Sequence, residues 1–326
     1  MPLTIVMYHY VRRLQESRFP EIKGLERDLF VEQVGYLKRY YEPVTAQQVI
    51  EAVRGESRLP KKAVLLTFDD GYLDHFTNVF PVLQKEKLLG CFFPPARCVQ
   101  ERVMLDVNKI HFILASTPDK SAIVSQINLA VESSRKEFGL DPINKYIARY
   151  EVTDRLNSAE ISYIKRMLQV GLPEVLRKRI VNDLFRQFVS EDEKAFANEL
   201  YMDEDQLRCM VASGMTIGSH GYDHCWLNSI DIRAQEMEIT LSLSFLARIG
   251  VLMKDWIICY PYGGWNNSLL RLLRRQGCAL GFTAEIGLAS IEDSDPLLLP
   301  RLDTNDLPKS AAAVPSEWTV RAINQP

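Results

Sequence analysis

Short apolar runs and helical repeats alternate over the first hundred residues and again from residue 203 onward. Runs rich in apolar and β-branched residues predict buried strands, and apolar positions spaced three and four apart predict the helices between them. The predicted strands are residues 3–8, 63–68, 90–93, 215–218, 256–260, 280–284 and 297–302. Because strands separated by helices pair in parallel through right-handed crossovers, this order predicts a parallel α/β barrel.

The middle of the chain has a different pattern. Residues 103–201 are helical in periodicity, and residues 157–160 and 190–193 have the spacing of capping boxes at helix starts. We therefore predict that residues 1–102 and 202–326 form the barrel and that residues 103–201 form a large helical insertion. The sequence leaves open whether this insertion mediates homodimerisation.

Composition narrows the class of protein. Apolar residues make up 47% of the chain and charged residues 25%, as in ordinary globular proteins, and the net charge of -3 gives no reason to expect nucleic acid. The six cysteines lack paired spacing and are expected to be free thiols. No apolar run is long enough to span a membrane, and the start at Met1 lacks the pattern of a signal peptide, so we expect a cytoplasmic protein.

Polar residues follow four of the predicted strands directly. They are His9, the pair Asp69 and Asp70, the segment His220–His224, and the segment Pro261–Gly263. In a parallel barrel the carboxyl ends of all strands open on one face, where active sites are found. We therefore expect these four groups to converge on a single site.

The residue types at this face suggest metal chemistry. Two adjacent carboxylates point in different directions, so one can bind a metal while the other moves protons. His220 and His224 have the i, i+4 spacing that lets two imidazoles share one ion. The other histidines, His75 and His111, are expected to be structural.

Three short segments resemble the motifs of the polysaccharide deacetylase family. They are Thr67-Phe68-Asp69-Asp70-Gly71, His220-Gly221-Tyr222-Asp223-His224 and Tyr260-Pro261-Tyr262-Gly263. The resemblance implies a distorted (β/α) barrel with seven rather than eight strands. It also implies that Asp69 is the general base and that Asp70, His220 and His224 hold a divalent ion. Zn²⁺ is the first candidate for this ion, and Co²⁺, Ni²⁺, Mn²⁺ and Fe²⁺ are the alternatives.

The chain departs from the family pattern at two points. Where the third motif commonly carries an arginine, this chain has Cys259, and we predict that Arg301 holds Asp69 in its place. The family's closing histidine, its general acid, is also missing, since no histidine follows His224. The segment from Tyr8 to Val11 resembles a circularly shifted variant of the family, which implies that His9 is the acid.

The resemblance implies a hydrolase acting on linear amide C–N bonds that removes an acetyl group from an amino sugar of a cell-surface glycan or its activated precursor. In this interpretation the backbone N–H of Tyr262 stabilises the oxyanion. Tyr262 and Trp265 are candidates for stacking on the sugar, although Trp265 fits core packing equally well. Two alternatives stay open: an N-deformylase acting on a nucleotide- or lipid-linked sugar, and a non-catalytic glycan-binding descendant of the fold.

Overall fold

The computed structural model describes residues 2–153 and 157–324. The chain divides into two compact units. The first unit comprises Met1–Arg13, Gly24–Val103 and Asn198–Pro326, and the second comprises Leu14–Lys23 and Met104–Ala197.

A sheet of parallel strands forms the centre of the first unit. Its seven main strands, β1 to β7 in chain order, are Pro2–Tyr8, Ala63–Asp69, Cys91–Phe93, Thr216–Ile217, Ile257–Cys259, Leu280–Ile286 and Leu299–Asp303. Their spatial order is β4-β3-β2-β1-β7-β6-β5. Ser219, just after β4, forms a parallel bridge with Ile258 of β5, so the sheet nearly closes on itself. The predicted seven-stranded (β/α) barrel is confirmed.

Short strands extend this sheet or pair beside it. Glu42–Pro43 pairs with β2, Ala289–Ser290 pairs antiparallel with β1, and Val11–Arg12 pairs with Leu25–Glu26 in a separate two-stranded sheet.

The alternation of side chains along the strands fills the barrel and aims the site residues. Every second residue belongs to one buried apolar cluster, including Leu3, Ile5, Ala63, Leu65, Cys91, Phe93, Ile257, Cys259, Leu280, Phe282 and Leu299. The intervening residues Tyr8, Phe68 and Phe92 stack in a row across three strands, with ring centroids 5.0 and 4.7 Å apart. Because strand side chains alternate with period two, Asp69 and Arg301 share the inward face with Leu65 and Leu299.

Helices surround the barrel strands within the first unit. They are Arg27–Tyr40, Ala46–Val53, Phe80–Glu86, Ala96–Glu101, Glu204–Ala212, Ile232–Arg248, Asn267–Arg275 and Glu317–Asn324. The helix Ala46–Val53 starts at a capping box in which Thr45 and Gln48 satisfy each other's backbone N–H groups. Short 3₁₀ turns lie at Leu227–Ser229, Pro261–Gly263 and Thr304–Asp306, and a π-helical turn at His75–Val79.

The regular elements described in the second unit are all helices or helical turns. Its helices are Asp106–Ser116, Lys120–Phe138, Ile143–Tyr150, Ala159–Arg166, Glu174–Phe188 and Glu193–Leu200. The last of these helices continues past the end of the unit. A 3₁₀ turn lies at Leu14–Glu16 and a π-helical turn at Met167–Gly171. Phe19 packs edge-on against Phe112 and Phe196, which explains why residues 14–23 belong to this unit. Across the described residues, no helix combines the length and apolar character that crossing a membrane requires.

Candidate active site

The end of β2 directs two neighbouring carboxylates to different partners. Asp69 is the last residue of the strand, and Asp70 and Gly71 follow with φ values of 73° and 66°, in the left-handed region. A Cβ on Gly71 would lie 2.6 Å from Cβ of Pro94, so this position requires glycine both for its φ and for its space. The sharp turn sends the side chain of Asp69 into the barrel and that of Asp70 toward the two histidines.

Asp70, His220 and His224 converge in a buried group. Oδ1 of Asp70 lies 3.4 Å from Nε2 of His220 and 3.3 Å from Nε2 of His224. All three side chains are nearly inaccessible to solvent. The structure thus brings together the three residues predicted to hold a metal.

The hydrogen bonding of His220 fits a cation at this point. Nδ1 of His220 lies 2.8 Å from the carbonyl oxygen of Cys259, and because a carbonyl only accepts, Nδ1 carries the proton. In the neutral ring Nε2 then presents a lone pair to the carboxylate of Asp70, an arrangement that a shared cation stabilises. A backbone partner on the far nitrogen is the usual support of a metal-binding histidine, and one carboxylate with two imidazoles is a common donor set for zinc.

Asp69, His220 and Cys259 form a second group with metal-ligand spacing. Arg301 Nη2 donates hydrogen bonds to both the Asp69 carboxylate and the Cys259 thiol. A guanidinium at this distance disfavours a second positive charge. The donor set of Asp70, His220 and His224 is therefore the better cation site.

Tyr72 is a residue of the site that sequence reasoning missed. Its hydroxyl donates to Oδ2 of Asp70 at 2.5 Å, and its ring stacks on Tyr10 at a centroid distance of 4.0 Å. Burial and the neighbouring charge of Asp70 raise the pKa of Tyr72 well above its usual value, so the hydroxyl keeps its proton. The only signal in the sequence is its place directly after the Asp-Asp-Gly turn.

Arg301 and Asp69 form a buried bidentate ion pair. Nη1 of Arg301 donates to Oδ1 of Asp69 at 2.9 Å and Nη2 donates to Oδ2 at 2.8 Å. The guanidinium is itself fixed by the carbonyl of Thr283 and the hydroxyl of Thr67. This geometry fits the predicted function of Arg301, whose effect on turnover stays a prediction.

Cys259, at the position where an arginine was expected, completes the surroundings of Asp69. Its thiol donates to Oδ2 of Asp69 at 3.3 Å. Burial by itself would raise the pKa of Asp69, but the charge and hydrogen bonds of Arg301 outweigh it and lower the pKa to about 2. Asp69 is therefore an ionised carboxylate at neutral pH.

The loop between the two histidines is held from both sides. Oε2 of Glu238 accepts hydrogen bonds from the backbone N–H groups of Tyr222 and Asp223, at 2.8 and 3.1 Å. On the other side, Arg97 pairs with the carboxylate of Asp223 at 2.8 Å. These contacts stabilise a loop in which His224 has a φ of 51°.

His9 lies at the open side of the group. Its Nε2 is 3.9 Å from Oδ2 of Asp69, and 41% of its side chain is exposed, in contrast to the buried side chains of His220 and His224. The backbone of His9 is anchored by His75, whose Nε2 donates to the His9 carbonyl at 2.8 Å. Burial lowers the pKa of His75 to about 4, so its ring is neutral, which suits the structural role expected for it.

The turn after β5 places an aromatic ring against the histidines. Tyr262 has a φ of 56°, and its ring meets that of His224 edge-on at 4.7 Å. On its other side Tyr262 stacks on Trp226, which sequence reasoning did not single out. Trp265 instead packs against the apolar cluster that includes Ile258 and Leu269, as the core interpretation predicts.

Part of the chain is similar in sequence to known proteins. The sequence profile of the family described as polysaccharide deacetylase matches residues 56–127 and 181–281, just over half of the chain. A segment of 54 residues is 54% identical to poly-beta-1,6-N-acetyl-D-glucosamine N-deacetylase of Escherichia coli (strain K12) and covers 16% of this chain but only 8% of that protein. The match thus spans a small part of this relative.

Solved structures share the fold. The deacetylase PplD of Streptococcus pyogenes, in complex with acetate, superposes with a TM-score of 0.57 at 16% identity, over 100% of this chain and 99% of that one. IcaB from Ammonifex degensii superposes with a TM-score of 0.55 at 21% identity, over 99% of this chain and 97% of that one. At these identities the likeness establishes the fold alone.

The segments matched by the family profile contain Asp69 and Asp70 at the end of β2, both predicted metal-binding histidines and the turn at Tyr262. His9 and Arg301 lie outside the matched segments. On the extent of this match, the chain belongs to the polysaccharide deacetylase family.

Proposed function

We propose that this chain is a metal-dependent N-deacetylase that removes acetyl groups from N-acetylated amino sugar units of a glycan. One observation above all supports the proposal. The carboxylate of Asp70 and the Nε2 atoms of His220 and His224 converge within 3.4 Å, directly beside the buried and ionised Asp69.

Asp70, His220 and His224 would hold the divalent ion, and three protein ligands leave a position open. When bound, such an ion lowers the pKa of a coordinated water toward about 7 and stabilises negative charge on an attacked carbonyl.

Asp69 accepts a proton from the attacking water molecule as that molecule adds to the acetyl carbonyl carbon. The paired guanidinium of Arg301 fixes the orientation of that carboxylate. The backbone N–H of Tyr262 donates a hydrogen bond to the oxyanion that forms. His9, on the exposed side, gives a proton to the sugar nitrogen as the C–N bond breaks, which releases acetate and the free amine.

The name of the Escherichia coli relative refers to poly-β-1,6-N-acetyl-D-glucosamine, so oligomers of this polymer are the first substrate to test. We propose a polymeric glycan rather than a nucleotide-linked sugar on this basis.

The test measures acetate released from β-1,6-linked N-acetylglucosamine oligomers, with metal present, removed by a chelator and restored. Asp69→Asn should lower turnover by about 10² to 10⁴ while keeping the metal, since a positioned proton acceptor contributes about that much. Asp205→Asn, which alters an exposed carboxylate on the helix Glu204–Ala212, is the matched control and should act like wild type.

Turnover that persists after the metal is demonstrably stripped would overturn the metal-dependent mechanism. N-formylated oligomers belong in the same panel, because release of formate without release of acetate would replace the proposed acyl group.

A further inference from the structure

Trp226 and Tyr262 form a stacked aromatic pair beside the candidate metal site. Their ring centroids are 4.6 Å apart and the ring planes differ by 7°. Tyr262 is also the ring that meets His224 edge-on at 4.7 Å. The ring of Tyr262 therefore contacts both a candidate metal ligand and Trp226.

The indole of Trp226 is unusually accessible for a tryptophan so close to buried groups, with 38% of the residue exposed. Among the described residues its ring N–H has no hydrogen-bond partner, although its backbone carbonyl accepts from Ser229. By contrast, Trp256 is buried and its ring N–H donates to the carbonyl of Gln276. Trp226 thus combines an apolar face with a free donor, a combination typical of binding surfaces.

The backbone beside Trp226 is shaped to admit the ring. A Cβ on Gly264 would lie 3.3 Å from Cε3 of Trp226 and 2.8 Å from Oδ1 of Asn228. The absence of a side chain at Gly264 lets the indole lie close against the turn that carries Tyr262. The position of the indole therefore depends on the glycine at residue 264.

We propose that Trp226, supported by Tyr262, binds the sugar unit next to the one that is deacetylated. Pyranose rings carry apolar C–H faces that stack on aromatic rings, and they offer hydroxyl groups to an indole N–H. Because Tyr262 contacts both His224 and Trp226, the exposed indole lies beside the candidate metal site, where a neighbouring unit of a glycan chain would meet it. This inference rests on the proposed function, and it predicts that the site prefers oligosaccharides to single sugars.

The first test is binding to metal-free protein, measured by calorimetry with a β-1,6-linked N-acetylglucosamine tetramer and with the monosaccharide. Trp226→Ala should weaken tetramer binding about tenfold, the size expected for one aromatic contact, and leave monosaccharide binding unchanged. Trp226→Phe, which keeps an aromatic face, should retain most of the affinity. Trp318→Ala, on the helix Glu317–Asn324, is the matched control and should bind both ligands like wild type.

The second test separates binding from chemistry in the metal-loaded protein. Trp226→Ala should raise KM for the tetramer about tenfold with little change in kcat for the tetramer. An equal loss for tetramer and monosaccharide, or no loss for either, would overturn the inference. If wild type deacetylates no glycan yet binds the tetramer through Trp226, the proposed function fails, while the assignment of Trp226 to sugar binding stands.

Discussion

Asp70, His224 and Tyr262 share an uncommon backbone conformation, with φ values of 73°, 51° and 56°. A non-glycine residue in the left-handed region typically costs about 1–3 kcal/mol and persists only where its surroundings fix it. Here the surroundings are the hydrogen bond from Tyr72 to Asp70, the contacts of Glu238 with the histidine loop, and the backbone hydrogen bonds from Gly263 to Tyr260 and from Gly264 to Pro261 around Tyr262. The strained residues are the ones to which the proposed mechanism assigns metal binding and oxyanion stabilisation.

The ion pair of Arg301 with Asp69 gives a prediction at this scale. In Arg301→Ala the Asp69 carboxylate loses both charged hydrogen bonds in a buried setting, which typically costs about 3–5 kcal/mol. We expect lower turnover and a lower free energy of unfolding, with metal content unchanged, as measured by acetate release, urea unfolding and elemental analysis.

The control for this variant is Arg54→Ala, which removes the exposed pair with Asp255. Exposed pairs contribute at most about 1 kcal/mol, so this variant should keep full turnover. Arg301→Ala with wild-type turnover would contradict the predicted function of Arg301.

Tyr72 gives a second residue-scale prediction. Tyr72→Phe removes only the hydroxyl that donates to Asp70, and loss of such a partner of a metal ligand typically weakens metal binding about 10- to 100-fold. Competition with a chromophoric chelator measures this affinity directly. The control is Tyr40→Phe, which removes a hydroxyl that donates to the Ala313 carbonyl and should leave the metal affinity unchanged. If Tyr72→Phe binds the metal as tightly as Tyr40→Phe, the hydroxyl of Tyr72 does not contribute to metal binding.

At the scale of elements, the turn after β2 depends on two properties of Gly71 that a pair of variants can separate. Gly71 and Gly55 have similar φ values, 66° and 73°, but a Cβ meets Pro94 at Gly71 and nothing within 4 Å at Gly55. Gly55→Ala should therefore lower the free energy of unfolding by about 1 kcal/mol, because of the backbone strain alone. Gly71→Ala should lower the free energy of unfolding by about 2–4 kcal/mol, because the clash with Pro94 adds about 1–3 kcal/mol of overpacking to the backbone strain.

Urea unfolding of both variants measures the difference. If both variants lose the same free energy of unfolding, Pro94 moves aside, and the turn is less rigid than the contacts imply.

Strands and their carboxyl ends are the elements that sequence patterns predict best here. The strand Ala63–Asp69 extends the predicted run 63–68 by one residue, and Ile257–Cys259 lies inside the predicted run 256–260. Such strands are continuous apolar runs because the barrel buries them on both faces. The family motifs then account for the residues that follow them.

Contacts between side chains distant in sequence could not be predicted in the same way. The stack of Trp226 on Tyr262 depends on two turns that follow β4 and β5, and no periodicity relates them. The position of Tyr72 against Asp70 depends on the left-handed turn between them, which the sequence indicates only through Gly71. Both contacts need the backbone geometry and cannot be read from residue spacing.

At the scale of the whole molecule, the candidate metal ligands join strands that are not neighbours. Asp70 follows β2, whereas His220 and His224 follow β4, and β3 lies between these strands. A cation bound by all three would fasten two separated parts of the barrel. Such a cation binds the folded barrel and not the unfolded chain, so it should stabilise the first unit selectively.

The chain allows this effect to be measured in one unit, because all four tryptophans lie in the unit that contains the barrel. Tryptophan fluorescence therefore reports its unfolding, while far-UV circular dichroism also reports the helices of the second unit. At a zinc concentration 100 times the Kd, binding should add about 2.7 kcal/mol to the stability of the barrel. The fluorescence transition should then shift upward by several degrees. Asp70→Asn should abolish the shift and Asp205→Asn should preserve it; a shift that survives Asp70→Asn would mean that the stabilising ion binds elsewhere.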